Sequence, residues 1–156
     1  MNKVNYSNRD IRSYVHSIIR QMDADQWRPD YVVGLTRGGL VPALMISHYL
    51  SVPMHTLEVS LRDGGETESN CWMACDSFGY NEGAADPAMR KNILIVDDIN
   101  DSGATLSWIK RDWRASCLPN HSAWDAVWNR STRFAVVVNN DASEFKDIDY
   151  VGTHIN

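Results

Sequence analysis

The sequence predicts an α/β domain, a mostly parallel sheet flanked by helices on both faces and broken by one long loop. Three observations predict it. Apolar runs at Tyr31–Leu35, Ile93–Val96 and Phe134–Val138 have the length of buried strands. Stretches with helical spacing lie between such runs, as a parallel sheet requires of its crossovers. Two glycine-bearing turns, Thr36–Gly39 and Asp97–Thr105, follow strands at the carboxyl ends, where sheets of this class bind ligands.

The elements follow in order. Ile11, Tyr14, Val15, Ile18, Ile19 and Met22 form one apolar stripe, so a helix is expected over Asn8–Met22. Ser7 and Asp10 make an acidic variant of the capping box at its start. Tyr31–Leu35 is a buried strand. Leu40–Leu50 reads as a helix, with Pro42 tolerated in its first turn. Met54–Leu61 carries the β-branched Thr56 and Val59 and reads as a strand. Strand, turn, helix and strand make a βαβ unit with a right-handed crossover.

From Arg62 to Lys91 the pattern dissolves among Gly64, Gly65, Gly79, Gly83 and many polar residues. A gap of ~30 residues is too long for an ordinary connection. It reads as a mobile functional loop, or as holding an extra hairpin around Trp72–Phe78. Ile93–Val96 is the clearest strand, and a helix is expected over Ser102–Ala115. Trp124 and Trp128, at i and i+4 in a polar stretch, suggest a small helical face. Phe134–Val138 is a further strand, and Tyr150–Val151 begins the last.

The 156 residues suit one domain, 1–156. Apolar residues at 44% and charged residues at 22% match a globular domain. No apolar run reaches the ~18 residues of a membrane span. The opening Met1–Ser7 lacks the apolar core of a signal peptide, so the cytoplasm is the expected location, with no membrane partner. A net charge of −5 argues against nucleic acid as a partner. Cys71, Cys75 and Cys117 are odd in number, which argues against a disulfide framework. No second pair or His cluster completes a zinc site with Cys71 and Cys75.

The chemistry concentrates in Ile93–Thr105. After the strand come two carboxylates, Asp97 and Asp98; then Asp101, Ser102, Gly103, Ala104 and Thr105 open a helix. A helix start offers N–H groups without internal partners and the positive end of the dipole. Gly103 lets backbone approach an anion, and Ser102 and Thr105 add hydroxyls, so the segment can cradle a phosphate. The acid pair would repel that phosphate and must face something else. Two carboxylates can accept from a vicinal diol or hold a divalent cation, and Mg²⁺ suits such oxygen ligands. A ribose 5-phosphate satisfies both halves. Asp101 alone is what ordinary capping uses, but capping does not call for the acids before it. Response-regulator receivers also open on Val-Asp-Asp, at their first strand; here too little chain follows.

Val96-Asp97-Asp98-Ile99-Asn100-Asp101-Ser102-Gly103-Ala104-Thr105 resembles the 5-phosphoribosyl pyrophosphate (PRPP) motif of type I phosphoribosyltransferases. Leu35-Thr36-Arg37-Gly38-Gly39-Leu40-Val41-Pro42 resembles their pyrophosphate loop. The element order is also similar, most of all to the bacterial xanthine-guanine (6-oxopurine) enzymes. The resemblance implies roles residue by residue. Asp97 and Asp98 bind the ribose hydroxyls, directly or through Mg²⁺. Asp101 faces N7 of a purine and exchanges its proton. Ser102, Gly103, Ala104 and Thr105 hold the 5-phosphate. Arg37, Gly38 and Gly39 hold pyrophosphate, in a loop where the family often has a strained or cis peptide. Residues 62–91 occupy the place of the family's flexible lid.

The implied reaction moves the phosphoribosyl group from PRPP to a purine of the guanine, xanthine or hypoxanthine class. The products are a nucleoside monophosphate and pyrophosphate, and the family's usual assembly is a homodimer or homotetramer. Two departures concern the base. Asn140 stands where those enzymes place a lysine on purine O6; an amide can donate to O6 or accept from a 6-amino group. Their stacking ring lies just past the equivalent of Tyr150 and Val151, and this sequence stops at Asn156, so the base region is expected to be short. Either the sequence is truncated, or another group stacks on the base: Tyr150, Trp72, Phe78 or a neighbouring subunit. The alternative reading is a non-catalytic regulatory protein that binds PRPP or a nucleotide.

Overall fold

The computed structural model describes residues 5–59 and 71–156. Four helices are present among them: α1 (Asn8–Ala24), α2 (Leu40–Leu50), α3 (Cys71–Phe78) and α4 (Ala104–Ser116). The strands are β1 (Tyr31–Thr36), β2 (Met54–Glu58), β3 (Tyr80–Asn81), β4 (Ala84–Ala85), β5 (Ile93–Asn100), β6 (Thr132–Asn140) and β7 (Tyr150–Ile155). Five of them form one sheet in the order β2-β1-β5-β6-β7, and every pairing in it is parallel.

Alternation along the strands splits the core in two, because successive side chains leave opposite faces. Val33, Leu35, Ile93, Ile95, Phe134 and Val136 face α3 and α4. Val32, Leu94, Val96 and Ala135 face α1 and α2. The predicted capping box starts α1: Asp10 N–H donates to Ser7 Oγ at 3.1 Å, and Ser7 N–H to Asp10 Oδ2 at 2.9 Å. Val15, Ile18, Ile19 and Met22 are its buried stripe. Gln21 covers the outer edge of β7, donating to the Val151 carbonyl at 2.8 Å and accepting from Val151 N–H at 3.2 Å.

The chain builds from β1 outward to β2, then returns to β5 on β1's other side and continues through β6 to β7. The switch in direction falls between β1 and β5. The crevice at their carboxyl ends is where both glycine turns emerge.

The expected lid is corrected in part. Residues 62–70 lie outside the described residues. Residues 71–78 form α3 rather than a hairpin, and the hairpin β3–β4 follows it. Met73, Ala74, Ser77 and Phe78 are buried on one face of α3, and Ser77 and Thr132 hydroxyls meet at 2.6 Å. This part of the insert is core rather than lid. Gly79 (φ 82°) and Gly83 (φ 85°) provide the left-handed positions that end α3 and turn the hairpin.

Trp124 and Trp128 are both buried, but they do not share one helical face. Trp124 sits in a 3₁₀ turn over Ser122–Ala126. Its ring stacks on Trp128 with centroids 5.3 Å apart, and Trp128 stacks on Phe134. Among the described residues no helix is long and apolar enough to cross a membrane.

Candidate functional site

A cavity of about 640 Å³ opens at the switch point and is lined by both predicted turns, from Thr36–Gly38 on one side and Asp97–Thr105 on the other. Its floor is longer strand than the sequence suggested. β5 continues past Val96, with Asp97 opposite Val136 and Asn100 opposite Asn139. The acid pair therefore stands on a hydrogen-bonded strand, which fixes its direction better than a loop would.

Asp97 and Asp98 crowd each other. Asp98 N–H donates to Asp97 Oδ1 at 2.8 Å, and Ile99 N–H to Asp98 Oδ1 at 2.8 Å. Burial, and after it the neighbouring Asp98 carboxyl, push the Asp97 carboxyl up to about 8. Such a pair is relieved by hydroxyl donors or a cation. Among the described residues no group of three or more His, Cys, Asp or Glu could hold a metal by itself. The two carboxylates are oxygen donors of the kind a hard cation takes, with most of its coordination left to other oxygens.

The turn after Asp101 forms an open cradle. Gly103 takes φ 93° at the N-cap of α4 and, as glycine, brings no side chain to cap the helix. The helix starts at Ala104, two residues later than expected, because left-handed Gly103 cannot belong to it. Ser107 N–H donates to the Gly103 carbonyl at 3.0 Å, so the N–H groups ahead of it have no helical acceptor. That of Ala104 meets Ser102 Oγ at 3.2 Å.

Gly103 is braced from behind. A β-carbon there would meet Phe145 N at 2.6 Å and Ser143 Oγ at 2.9 Å. Asn100, 2% exposed, holds that brace: its Nδ2 donates to the Asn139 side chain at 2.9 Å and to the Phe145 carbonyl at 3.0 Å. Its Oδ1 accepts from Ser143 Oγ at 3.0 Å. Sequence reasoning gave Asn100 no role. The available signal was an amide in an otherwise inward-facing strand position just before the cradle.

Opposite the acids, Gly39 N–H donates to the Leu35 carbonyl at 2.8 Å and tightens the turn after β1. The Thr36–Arg37 peptide is cis. Arg37 is exposed and lines the cavity. Asp101, also at the cavity, accepts from Asn140 Nδ2 at 2.8 Å.

Of the residues expected at the base, Asn140 alone lies by the site, through its bond to Asp101. Tyr150 is 1% exposed on the α1 side of the sheet. Its hydroxyl meets Arg133 Nη1 at 2.8 Å and donates to Asp25 Oδ2 at 3.1 Å. The register explains this: Tyr150 pairs with Ala135 and Val151 with Val136, well before the strand ends. The residues level with Asn139 and Asn140 are His154 and Ile155. His154 Nδ1 lies 2.7 Å from Asp141 Oδ1. Trp72 packs on His55, and Phe78 on Trp124; neither lines the cavity.

The family model of the phosphoribosyl transferase domain matches residues 5–155. Xanthine phosphoribosyltransferase 1 of Saccharomyces cerevisiae is 25% identical over 122 residues, 67% of this chain and 56% of that protein. The xanthine-guanine phosphoribosyltransferase of Cereibacter sphaeroides is 35% identical over 92 residues, 56% of this chain and 48% of the relative. The chain thus spans about half the length of these two relatives. Among solved structures, a purine phosphoribosyltransferase of Pyrococcus horikoshii superposes with TM-score 0.65 at 19% identity, covering 99% of this chain and 89% of that one. At that identity the likeness concerns the fold.

Proposed function

Because the chain belongs to the phosphoribosyl transferase domain family, we propose that it transfers the phosphoribosyl group of PRPP to a 6-oxopurine, giving a nucleoside monophosphate and pyrophosphate. The observation that carries this reading is one cavity that joins the acid pair, the open helix start and the Arg37 turn. Each part suits one part of PRPP. The N–H groups and hydroxyls of Ser102–Thr105 hold the 5-phosphate. Asp97 and Asp98 accept from the 2- and 3-hydroxyls. Arg37 and the N–H group of Gly38 hold the departing pyrophosphate, while buried Gly39, its N–H on the Leu35 carbonyl, shapes the turn behind them.

Asp97 and Asp98 would also hold Mg²⁺, which supplies positive charge to the polyphosphate. As pyrophosphate leaves, positive charge develops at C1 and the ring oxygen. The acids beneath the sugar favour that charge electrostatically. The base nitrogen bonds to C1, and Asp101 takes the proton released at N7. The exposed apolar stripe of α2, Val41, Leu44 and Tyr49, supports assembly as a homodimer or homotetramer. Composition supports a cytoplasmic location.

The test is incubation with PRPP, Mg²⁺ and guanine, xanthine, hypoxanthine or adenine, with nucleotide and pyrophosphate measured by chromatography. Turnover with a 6-oxopurine is expected. A folded sample that turns over none of them, yet binds PRPP by calorimetry, would establish the second reading, a non-catalytic regulator. The observation favouring that reading is Asn140 in place of a base-contacting lysine.

A further inference from the structure

Asn140 ends β6 beside the cavity and is half-buried. Both ends of its amide are engaged. Oδ1 accepts from Ala142 N–H at 2.9 Å, and Nδ2 donates to Asp101 Oδ1 at 2.8 Å. Chemistry fixes which end is which. Turned over, the amide would set its NH₂ against the Ala142 N–H and its oxygen against the Asp101 carboxylate, and both contacts would repel.

The same residue anchors the segment behind the cradle. Its carbonyl accepts from Ser143 N–H at 2.9 Å, and Glu144 N–H donates to the Ser102 carbonyl at 3.2 Å. Ser143 and Phe145 are the groups pressed against Gly103. One short segment, 140–145, therefore ties the Asp101 carboxylate on one side to the back of the phosphate cradle on the other. Asp101 is exposed and sits on a turn, where a short carboxylate has rotamer freedom unless something holds it.

We infer that Asn140 is a positioning residue: its locked amide orients the Asp101 carboxylate toward the base and acts on transfer through Asp101. This rests on the phosphoribosyl-transfer reading. A placed proton acceptor contributes roughly a hundredfold to ten-thousandfold, and effectiveness falls steeply when the acceptor is misaimed. Loss of the amide should thus cost turnover and leave PRPP binding nearly intact.

The experiment is a double-mutant cycle in the full chain, comparing wild type, Asn140→Leu, Asp101→Asn and the double variant. Asn140→Leu keeps the branching at Cγ and removes the donor to Asp101 together with the acceptor of Ala142 N–H. The expected loss of kcat is roughly tenfold to a hundredfold, a part of what a proton acceptor supplies. KM for PRPP should stay within about twofold, and in the Asp101→Asn background Asn140→Leu should cost nothing further. Full multiplication of the two losses, or wild-type kcat in Asn140→Leu, would overturn the inference.

Calorimetry with PRPP on the same samples reports whether Asn140→Leu has kept the cradle. A second measurement works even without turnover. The side-chain amide cross-peak of Asn140 in ¹H–¹⁵N spectra should move in Asp101→Ala, and an unmoved peak would overturn the pairing. A protein that transfers to no base but shows the moved peak would overturn the transfer reading, and with it the role of Asn140 in transfer, while keeping the Asn140–Asp101 pairing.

Discussion

The Asp98 carboxylate lies directly against Gly38, so close that a β-carbon on Gly38 would meet Asp98 Cγ at 2.3 Å. This contact brings the ends of β1 and β5 together, with the expected sites of pyrophosphate and ribose on either side. Gly39, next in sequence, is confined differently: its β-carbon would meet the Val96 carbonyl oxygen at 2.3 Å and Leu35 N at 2.8 Å. The two glycines should therefore fail differently. Asp98 is exposed and can swing aside, so Gly38→Ala should keep the fold and lose transfer. Backbone at Val96 and Leu35 cannot yield cheaply, so Gly39→Ala should lose about 1–3 kcal/mol of stability through overpacking. Urea melts and PRPP-dependent turnover of both variants check this; equal stability loss in the two would contradict it.

Asn100 holds the brace behind Gly103, and its removal should be felt at a distance. Asn100→Leu leaves the Asn139 amide oxygen, the Phe145 carbonyl and the Ser143 hydroxyl without this partner. A buried polar group left unsatisfied costs about 1–3 kcal/mol, and partial relaxation should bring the total to about 2–4 kcal/mol. Because the brace presses on Gly103, KM for PRPP should rise as well. A variant with normal KM and normal melting would show that the network is dispensable.

How much of this was legible in the sequence depends on the kind of signal. Ile93–Val96 was readable because a continuous apolar run has one reading in a parallel sheet. The junction between β5 and α4 was readable because a glycine and hydroxyl-bearing residues after an apolar run mark the turn that opens a helix. α3 was not readable: its buried face of Met73, Ala74, Ser77 and Phe78 is short, and glycines beside it mimic loop. The Asn100 network was hidden because its partners, Asn139, Ser143 and Phe145, are distant in sequence. Tyr150 was misplaced because the register of β7 against β6 is a tertiary property, and a shift along the strand moves a residue from the site to the core.

That misplacement can be measured. Tyr150 bonds Arg133 and Asp25 on the α1 side, and burial pushes its hydroxyl up to about 12. Tyr150→Phe should leave KM for the base within about twofold, since the ring is remote from the cavity, and remove about 1 kcal/mol of stability with its hydrogen bonds. A large rise in KM for the base with unchanged melting would return Tyr150 to the site.

Asp97 makes the stability of the ligand-free protein depend on pH, with a sign that follows from the raised folded value. Burial and the Asp98 carboxyl push the folded carboxyl up to about 8, against 3.8 for an ordinary aspartate. Between these values the folded chain keeps a proton that the unfolded chain has lost, so stability falls as pH rises through this window. The contribution is fully present below the unfolded value and gone above the folded one. Asp97→Asn removes the titration. Its melting temperature relative to wild type should therefore climb between pH 5 and pH 8. Mg²⁺ at pH 8 should narrow the difference by favouring the ionised pair of wild type. Scanning calorimetry of both proteins across that range is the check, and a pH-independent offset would mean that Asp97 is already ionised in the folded protein.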